Sequence, residues 1–271
     1  MRARKRFAQH FLEPAWVKKL VDAVAASSDD AILEIGPGRG AITRPLAQRT
    51  GRLLAIEVDR DLAALLESDR PGNVVVVTGD VLTIDLRSAL TTWLGAPIGP
   101  DRTIRIVGNL PYNISSPILF ALLSLAATTH GVRDAMLMLQ KEVADRLVAR
   151  PGTGDYGVLT VLTGLHADVT RVLSLPPGAF RPPPKVHSAV VRLTFRPPPV
   201  DVGDPQSFIR MVRTVFTQRR KTIGNGLKGF AAEARRAPDH ALAAAGIDAR
   251  RRPETLDLAE FAALSRALQG L

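Results

Sequence analysis

Ala31-Ile32-Leu33-Glu34-Ile35-Gly36-Pro37-Gly38-Arg39-Gly40-Ala41 is the stretch that decides the fold. Its first five residues read as a short buried strand, and Ile42, Leu46 and Ala47 beyond it as one face of a helix. Glycines between the two let the backbone approach a ligand closely, beside the N-terminus of the helix. A strand, a glycine turn and a helix in this order form the nucleotide-cofactor turn of an α/β sheet. The cofactor itself stays open at this point. Gly36-x-Gly38-x-x-Ala41 satisfies the dinucleotide fingerprint, and Glu34-x-Gly36-x-Gly38-x-Gly40 satisfies the methyltransferase version.

The next strands extend the pattern outward. Leu53 to Ile56 ends at Glu57, a carboxylate about 20 residues past the glycines, where ribose hydroxyls are bound in such sheets. Val74 to Val77 leads to Gly79-Asp80, and Asp80 can accept from the exocyclic amine of an adenine ring. Thr103 to Val107 runs into Gly108-Asn109-Leu110-Pro111-Tyr112-Asn113, with Ser115 capping a helix of Ile118, Leu119, Leu122 and Leu123. The Asn109 amide oxygen and the Leu110 carbonyl are two acceptors that can hold both hydrogens of an exocyclic amine and leave its lone pair free. Pro111 fixes φ and removes a competing donor. Tyr112 offers a flat face on which a base can stack. Taken singly, Glu57 and Asp80 read as solvated caps as readily as ligands; for Asn109 to Tyr112 the alternative, less favoured, is a plain loop with a turn-forming Asn and a packed Tyr. Successive strand ends behind one glycine turn favour ligand binding.

Ala135 to Leu139, Val169 to Leu173 and Ser188 to Phe195 read as strands five to seven, and Thr91 to Arg102 as a loop insertion. Before strand seven stands Phe180-Arg181-Pro182-Pro183-Pro184-Lys185-Val186, rigid by its prolines. Phe180 is either an exposed ring that sandwiches a base against Tyr112 or a plug in the core. Arg181 and Lys185 suit phosphate. Arg196-Pro197-Pro198-Pro199 breaks the pattern. A first domain is therefore expected over residues 1–196, with a basic arm over 1–12 carrying Arg4, Lys5 and Arg6, and a helical domain over 201–271. Asp204-Pro205 opens the first of its helices, and Asp257-x-x-Glu260 forms a capping box at the last. Arg219, Arg220 and Lys221 belong to a cluster of basic residues here. A charge run is ordinarily only a solvated face. Beside a base-sized pocket it reads better as an RNA clamp.

The whole chain agrees with a polyanionic partner. It has 271 residues, is 46% hydrophobic and carries a formal charge of +10, which suits nucleic acid before membrane. Absence of cysteine excludes disulfide scaffolds, thiolate metal sites and cysteine nucleophiles. No apolar run reaches the roughly 18 residues needed to cross a bilayer. The charged N-terminus continues as Phe7-Ala8-Gln9-His10 instead of an apolar secretion segment. A cytoplasmic protein is expected, and nothing demands more than a monomer. The five histidines lack ligand spacing, so no metal site is expected.

Four motifs in order give a resemblance: Gln9-His10-Phe11-Leu12, Glu34-Ile35-Gly36-Pro37-Gly38-Arg39-Gly40, Asn109-Leu110-Pro111-Tyr112-Asn113-Ile114-Ser115 and Phe180-Arg181-Pro182-Pro183-Pro184-Lys185-Val186. Along nearly its whole length the chain resembles the KsgA type of ribosomal RNA adenine dimethyltransferases. The resemblance implies a Rossmann-like seven-stranded sheet with its last strand antiparallel and a small all-helical C-terminal domain. It implies S-adenosylmethionine as donor, held by His10, Leu12, Gly36, Gly38, Glu57, Asp80 and Asn109. As substrate it implies two adjacent adenines near the 3′ end of small-subunit rRNA, dimethylated at N6 during late subunit assembly. The chain departs from the family's frequent Gly-Gln-Asn in having Ala8-Gln9-His10, where an imidazole replaces an amide as hydrogen-bond partner. An Erm-type enzyme acting on large-subunit rRNA is the nearest rival, and Leu110 and the proline-rich Phe180 segment favour the KsgA type. An assembly factor acting without catalysis would not need Glu57, Asp80 and Asn109 together. An NAD-dependent oxidoreductase leaves Asn109 to Tyr112 and the basic helices unexplained.

Overall fold

The computed structural model describes residues 10–233 and 237–271. Arg4, Lys5 and Arg6, with most of the expected basic arm, lie outside the described residues. Two compact units divide the chain. One comprises residues up to Ala144 together with Ala167–Arg196, the other Asp145–His166 together with Pro197–Leu271. This division departs from the expected one over residues 145–166, which cluster with the C-terminal helices.

The first unit is an α/β sheet. In chain order its elements are β1 (Phe11–Leu12), α1 (Pro14–Val24), β2 (Ala31–Ile35), α2 (Thr43–Ala47), β3 (Arg52–Glu57), α3 (Arg60–Asp69), β4 (Val74–Thr78) and α4 (Leu86–Leu94). There follow β5 (Ile104–Asn109), α5 (Ser115–Thr129), β6 (Val132–Gln140), α6 (Lys141–Leu147, which runs past the division), β7 (Ala167–Leu175), β8 (Phe180–Arg181) and β9 (Ser188–Phe195). Seven strands form one sheet in the order β4-β3-β2-β5-β6-β9-β7. The neighbours from β4 to β6 are parallel, whereas β9 is antiparallel to both β6 and β7. The last strand is therefore the reversed one, as expected. Residues 91–94, expected in a loop insertion, instead complete α4, whose N-cap Asp85 accepts from the Ser88 amide and whose end falls at Gly95 with φ 73.

The sheet order decides where a ligand can sit. From β2 the chain moves outward through β3 and β4, then returns to place β5 on the other side of β2. The crevice between β2 and β5 is such a reversal point, and ligands bind outside the carboxyl ends of strands there. Ile35 and Gly108 are register partners, so Gly36 and Asn109 leave the sheet side by side. Gly108 permits this closeness: a Cβ there would stand 3.1 Å from the Ile35 carbonyl oxygen.

Apolar spacing builds the layers. Pro14 opens α1, and Val17, Leu20, Val21 and Val24 recur on one face and are buried. That face joins a cluster with Ile32, Leu53, Val107, Met136, Met138 and Val190 from the sheet, each large side chain contributing about 1.5–3 kcal/mol on burial. At the amino end of β5, Arg105 is almost fully buried and bolts the layers together. Its Nε and Nη2 each donate to Asp134 at 2.7 Å, Nη1 donates to Asp30 at 3.0 Å, and Nη2 also donates to the Val24 carbonyl at the end of α1.

The second unit is helical: α7 (Val158–His166), α8 (Pro205–Thr217), α9 (Ile223–Glu233), α10 (Pro238–Ala244) and α11 (Leu258–Gln269). Asp204 caps α8, which buries Phe208, Met211, Val212 and Val215 at helical spacing. The Phe216 ring meets Tyr156 and Phe261 at 6.2 and 5.8 Å between centroids. Asp257 and Glu260 form both bonds of the capping box at the start of α11. Among the described residues no helix is long and apolar enough to cross a membrane.

Candidate active site

A cavity of about 260 Å³ opens at the carboxyl ends of β2 to β5. It brings together His10, Leu12, Gly36, Gly38, Glu57, Asp80 and Asn109 to Tyr112, residues scattered over a hundred positions of sequence. The glycine turn forms its floor. Gly36 and Gly38 take φ of 68° and 57°, a region costly for residues with a Cβ. A Cβ on Gly38 would also press the Phe11 ring at 3.3 Å. Over that ring lies the Arg39 guanidinium, 4.7 Å from the centroid.

Glu57, at the end of β3, is held by backbone. Gly38 N donates to its Oε2 and Asp59 N to its Oε1, both at 2.9 Å. Burial pushes its carboxyl above the usual range, while these two amide bonds pull the other way. Each carboxylate oxygen keeps further acceptor capacity. Behind the turn stands Glu34, whose side chain is buried and whose Oε2 makes no hydrogen bond. Burial raises its carboxyl to about 7; the Thr43 hydroxyl opposes this and the nearby Glu57 adds to it. Asp80 is half-buried after β4, and its Oδ1 accepts from the Leu82 amide at 2.9 Å.

The loop after β5 is fixed from several sides. Leu110 N donates to the Met138 carbonyl at 3.1 Å, and its side chain is buried. Asn109 Nδ2 donates to the His10 carbonyl at 3.1 Å, which orients the amide and leaves Oδ1 as its acceptor end. Tyr112 stacks on the His10 ring, with centroids 5.8 Å apart and planes inclined by 25°. Its hydroxyl shares a 2.5 Å hydrogen bond with Ser188 Oγ. Burial pushes the phenol up and the bond to Ser188 pulls it down, with burial prevailing.

His10 enters through a strand pair that sequence reading missed. β1 and β8 are antiparallel, with Phe11 opposite Arg181 and Leu12 opposite Phe180. His10 Nδ1 and the Pro182 carbonyl lie 2.8 Å apart, and Glu13 N donates to the Ala179 carbonyl at 2.9 Å. This pairing places Phe180 otherwise than its expected stacking role requires. Its side chain is fully buried, in the core cluster with Leu12, Ala179 and Val190, and does not line the cavity. The ring on the face of Tyr112 is His10 instead. A two-residue strand has no periodicity to read, so nothing local announced the exchange.

Arg181 and Lys185 are exposed outside the cavity, and Arg181 pairs with Glu13 at 3.0 Å. Arg219, Arg220 and Lys221 belong to the helical unit, where Arg219 Nη2 donates to the Thr153 carbonyl at 3.3 Å and the other two are exposed. Ser188 and Glu34 are further site residues without an assigned role from sequence. Glu34 stood visible in the glycine motif, whereas the bond from Tyr112 to Ser188 spans 76 positions.

Comparison with known proteins narrows the chemistry. The family model "Ribosomal RNA adenine dimethylase" matches residues 1–264. A protein of Geobacter metallireducens named ribosomal RNA small subunit methyltransferase A is 48% identical, over 100% of this chain and 97% of its own length. A namesake from Anaeromyxobacter dehalogenans is 43% identical over 99% and 94%. Among solved structures, a dimethyladenosine transferase from Plasmodium falciparum matches the fold with TM-score 0.75 at 24% identity, covering 94% of this chain and 96% of its own. The 23S rRNA methyltransferase ErmE matches with TM-score 0.64 at 27% identity, covering 95% and 99%.

Proposed function

This chain belongs to the ribosomal RNA adenine dimethylase family, and from that premise we propose how its site works. The protein is an S-adenosylmethionine-dependent methyltransferase that converts adenines of small-subunit rRNA to N6,N6-dimethyladenine. Its targets are two adjacent adenines near the 3′ end, modified in the cytoplasm during late assembly of the subunit. One observation carries the reading: four strand ends bring a glycine turn, Glu57, Asp80 and the Asn109 to Tyr112 loop to one cavity. ErmE shares the fold, but the relatives at 48% and 43% identity bear the small-subunit name, which favours that substrate.

The residues present fit the donor. A Cβ on Gly36 would stand 3.7 Å from the Asn109 carbonyl, between the two loops, in space a ligand can use. Glu57, anchored by two backbone amides, accepts from a pair of ribose hydroxyls. Asp80 accepts from an adenine amine, and His10 and Leu12 close the cavity from the other side. When bound, S-adenosylmethionine supplies an electrophilic methyl group on a positively charged sulfur.

The chain's own part is positioning. Asn109 Oδ1 and the Leu110 carbonyl accept the two N6 hydrogens of the unmodified adenine, and the one that remains before the second transfer, leaving the nitrogen lone pair free for attack. Each transfer releases one N6 proton to water. Tyr112 stacks the base. Leaving the RNA costs the adenine a few kcal/mol, and stacking on an aromatic ring returns about 1–3 kcal/mol of it. Arg181, Lys185, Arg219, Arg220 and Lys221 contact phosphates, as do Arg4, Lys5 and Arg6, and the protein acts as a monomer.

Labelled S-adenosylmethionine incubated with unmodified small and large subunits tests the reading, with the modified base mapped. Dimethyladenine in the small subunit alone is the expected result. Label in the large subunit would move the protein to the Erm type. Transfer to neither, with the donor bound, would favour an assembly factor acting without catalysis.

A further inference from the structure

Pro111 stiffens the backbone before Tyr112 but leaves the ring its own two torsions. A ring that must present one face to a base therefore needs a second anchor. The structure supplies one at the far end of the side chain, where Tyr112 Oη lies 2.5 Å from Ser188 Oγ. Ser188 is the first residue of β9, opposite Gln140 of β6 on one side and Leu175 of β7 on the other. Lys141 N donates to the neighbouring His187 carbonyl at 2.9 Å and extends the ladder past the strand. The serine backbone is thus locked between two strands. Because β9 runs against the others, its first residue reaches the carboxyl edge of the parallel strands, where β5 delivers Tyr112.

A serine here is itself informative. Its residue is 1% exposed, and burying a hydroxyl is unfavourable unless it is hydrogen-bonded. An alanine would satisfy packing at this strand position without that cost. Tyr112 provides the bond, and since a phenol is neutral at physiological pH either hydroxyl can donate.

We propose that Ser188 is a positioning residue for methyl transfer: it fixes the plane of the Tyr112 ring on which the target adenine stacks. The inference rests on the reading of Tyr112 given above. Ser188 touches neither donor nor adenine and acts through the phenol. Loss of the bond lets the ring reorient, so fewer bound adenines present N6 in line with the methyl group. The loss falls on kcat and leaves subunit affinity in place.

Ser188→Ala and Tyr112→Phe, alone and combined, test the proposal in the full-length protein. Each single change should lower kcat about tenfold, the size expected when one neutral hydrogen bond is lost. The double variant should be no slower than the worse single one. Ser188→Thr, which keeps the hydroxyl, should restore most of the rate. Losses that multiply in the double variant, or singles with unchanged kcat, would overturn the proposal. A readout independent of activity comes from the chain having only two tyrosines. In protein labelled at tyrosine ring carbons, Ser188→Ala should speed reorientation of Tyr112 and leave the Tyr156 signal as an internal reference. An unchanged Tyr112 signal would refute the anchoring role. Absence of methyl transfer by the unmodified protein would instead refute the functional reading, and the ring spectra would still decide about Ser188.

Discussion

Replacing Glu34 by glutamine should change how stability depends on pH. Glu34 sits in β2 with its carboxyl buried and one oxygen unbonded, and burial raises it from 4.5 to about 7. A carboxyl whose folded value lies above its unfolded value binds more protons in the native state between the two. Stability from this group is then full below about pH 4.5 and is lost as pH rises to about 7. At about 1.4 kcal/mol per pH unit, the interval corresponds to about 3 kcal/mol. Glu34→Gln keeps the shape and removes the titration, so its stability relative to the parent should climb by that amount across the interval. Urea unfolding at a series of pH values measures this, followed by fluorescence of Trp16 and Trp93. Both tryptophans lie in the sheet unit, so the helical unit does not confuse the signal. Glu57 shifts in the same direction through its own burial and largely cancels in the difference. A difference that stays flat from pH 4 to 8 would refute the reasoning, because it would mean that water or a bonded partner reaches Glu34.

Other substitutions separate the tasks of the molecule. Asn109→Ala should lower kcat at least about 100-fold by misplacing the amine, with subunit affinity nearly unchanged in equilibrium binding. A parallel collapse of subunit binding would contradict the assigned role. Arg105→Leu removes both close donors to the buried Asp134 carboxylate, while Asp30 keeps Arg133 at 2.6 Å, and it should destabilise the sheet unit by about 3–5 kcal/mol in urea titration. Adding Asp134→Asn should recover part of that loss. Changing Arg219, Arg220 and Lys221 together to glutamine should weaken subunit binding and reduce its salt slope by about one per lost phosphate contact. Donor affinity, measured by calorimetry, should not move.

Much of the sheet unit was legible because its signals are local. Apolar runs mark the strands, and the residues just past four of them carry the cavity groups, so reading strand ends amounted to reading the site. The capping box at Asp257 and Glu260 was legible for the same reason, its residues being three positions apart. Elsewhere the deciding partner is remote. Phe180 follows a proline-stiffened stretch that suggested exposure, yet Leu12 lies opposite it in a strand pair of two residues each, and together they enter the core. Leu159, Val161, Leu162 and Leu165 of α7 are buried, but an apolar helix does not say which neighbours bury it. That is why the division departs from the expected one over residues 145–166. In residues 91–94 the threonines masked a helix whose start is set by the Asp85 cap.

The contacts that orient the site differ in kind from those that build the sheet. Glu57 is held by Gly38 across 19 positions, Tyr112 by Ser188 across 76, and Asn109 by His10 across 99. Each closes a long loop, and such contacts gain nothing until the intervening chain is ordered. Helix-forming segments can satisfy themselves early, whereas the cavity is complete only when β1 has paired with β8 and β9 has inserted beside β6. The β1 and β8 pair is short and lies outside the seven-stranded sheet. Few backbone bonds hold this pair together, and burial of Leu12 and Phe180 in the core supplies most of what resists its opening. Opening it would release the His10 carbonyl from Asn109 and the imidazole from Tyr112 while leaving the sheet intact. Both groups that handle the adenine thus depend on one short segment outside the main sheet. For an enzyme whose catalysis is positioning, activity then rests on this pair as much as on the sheet that carries the cavity.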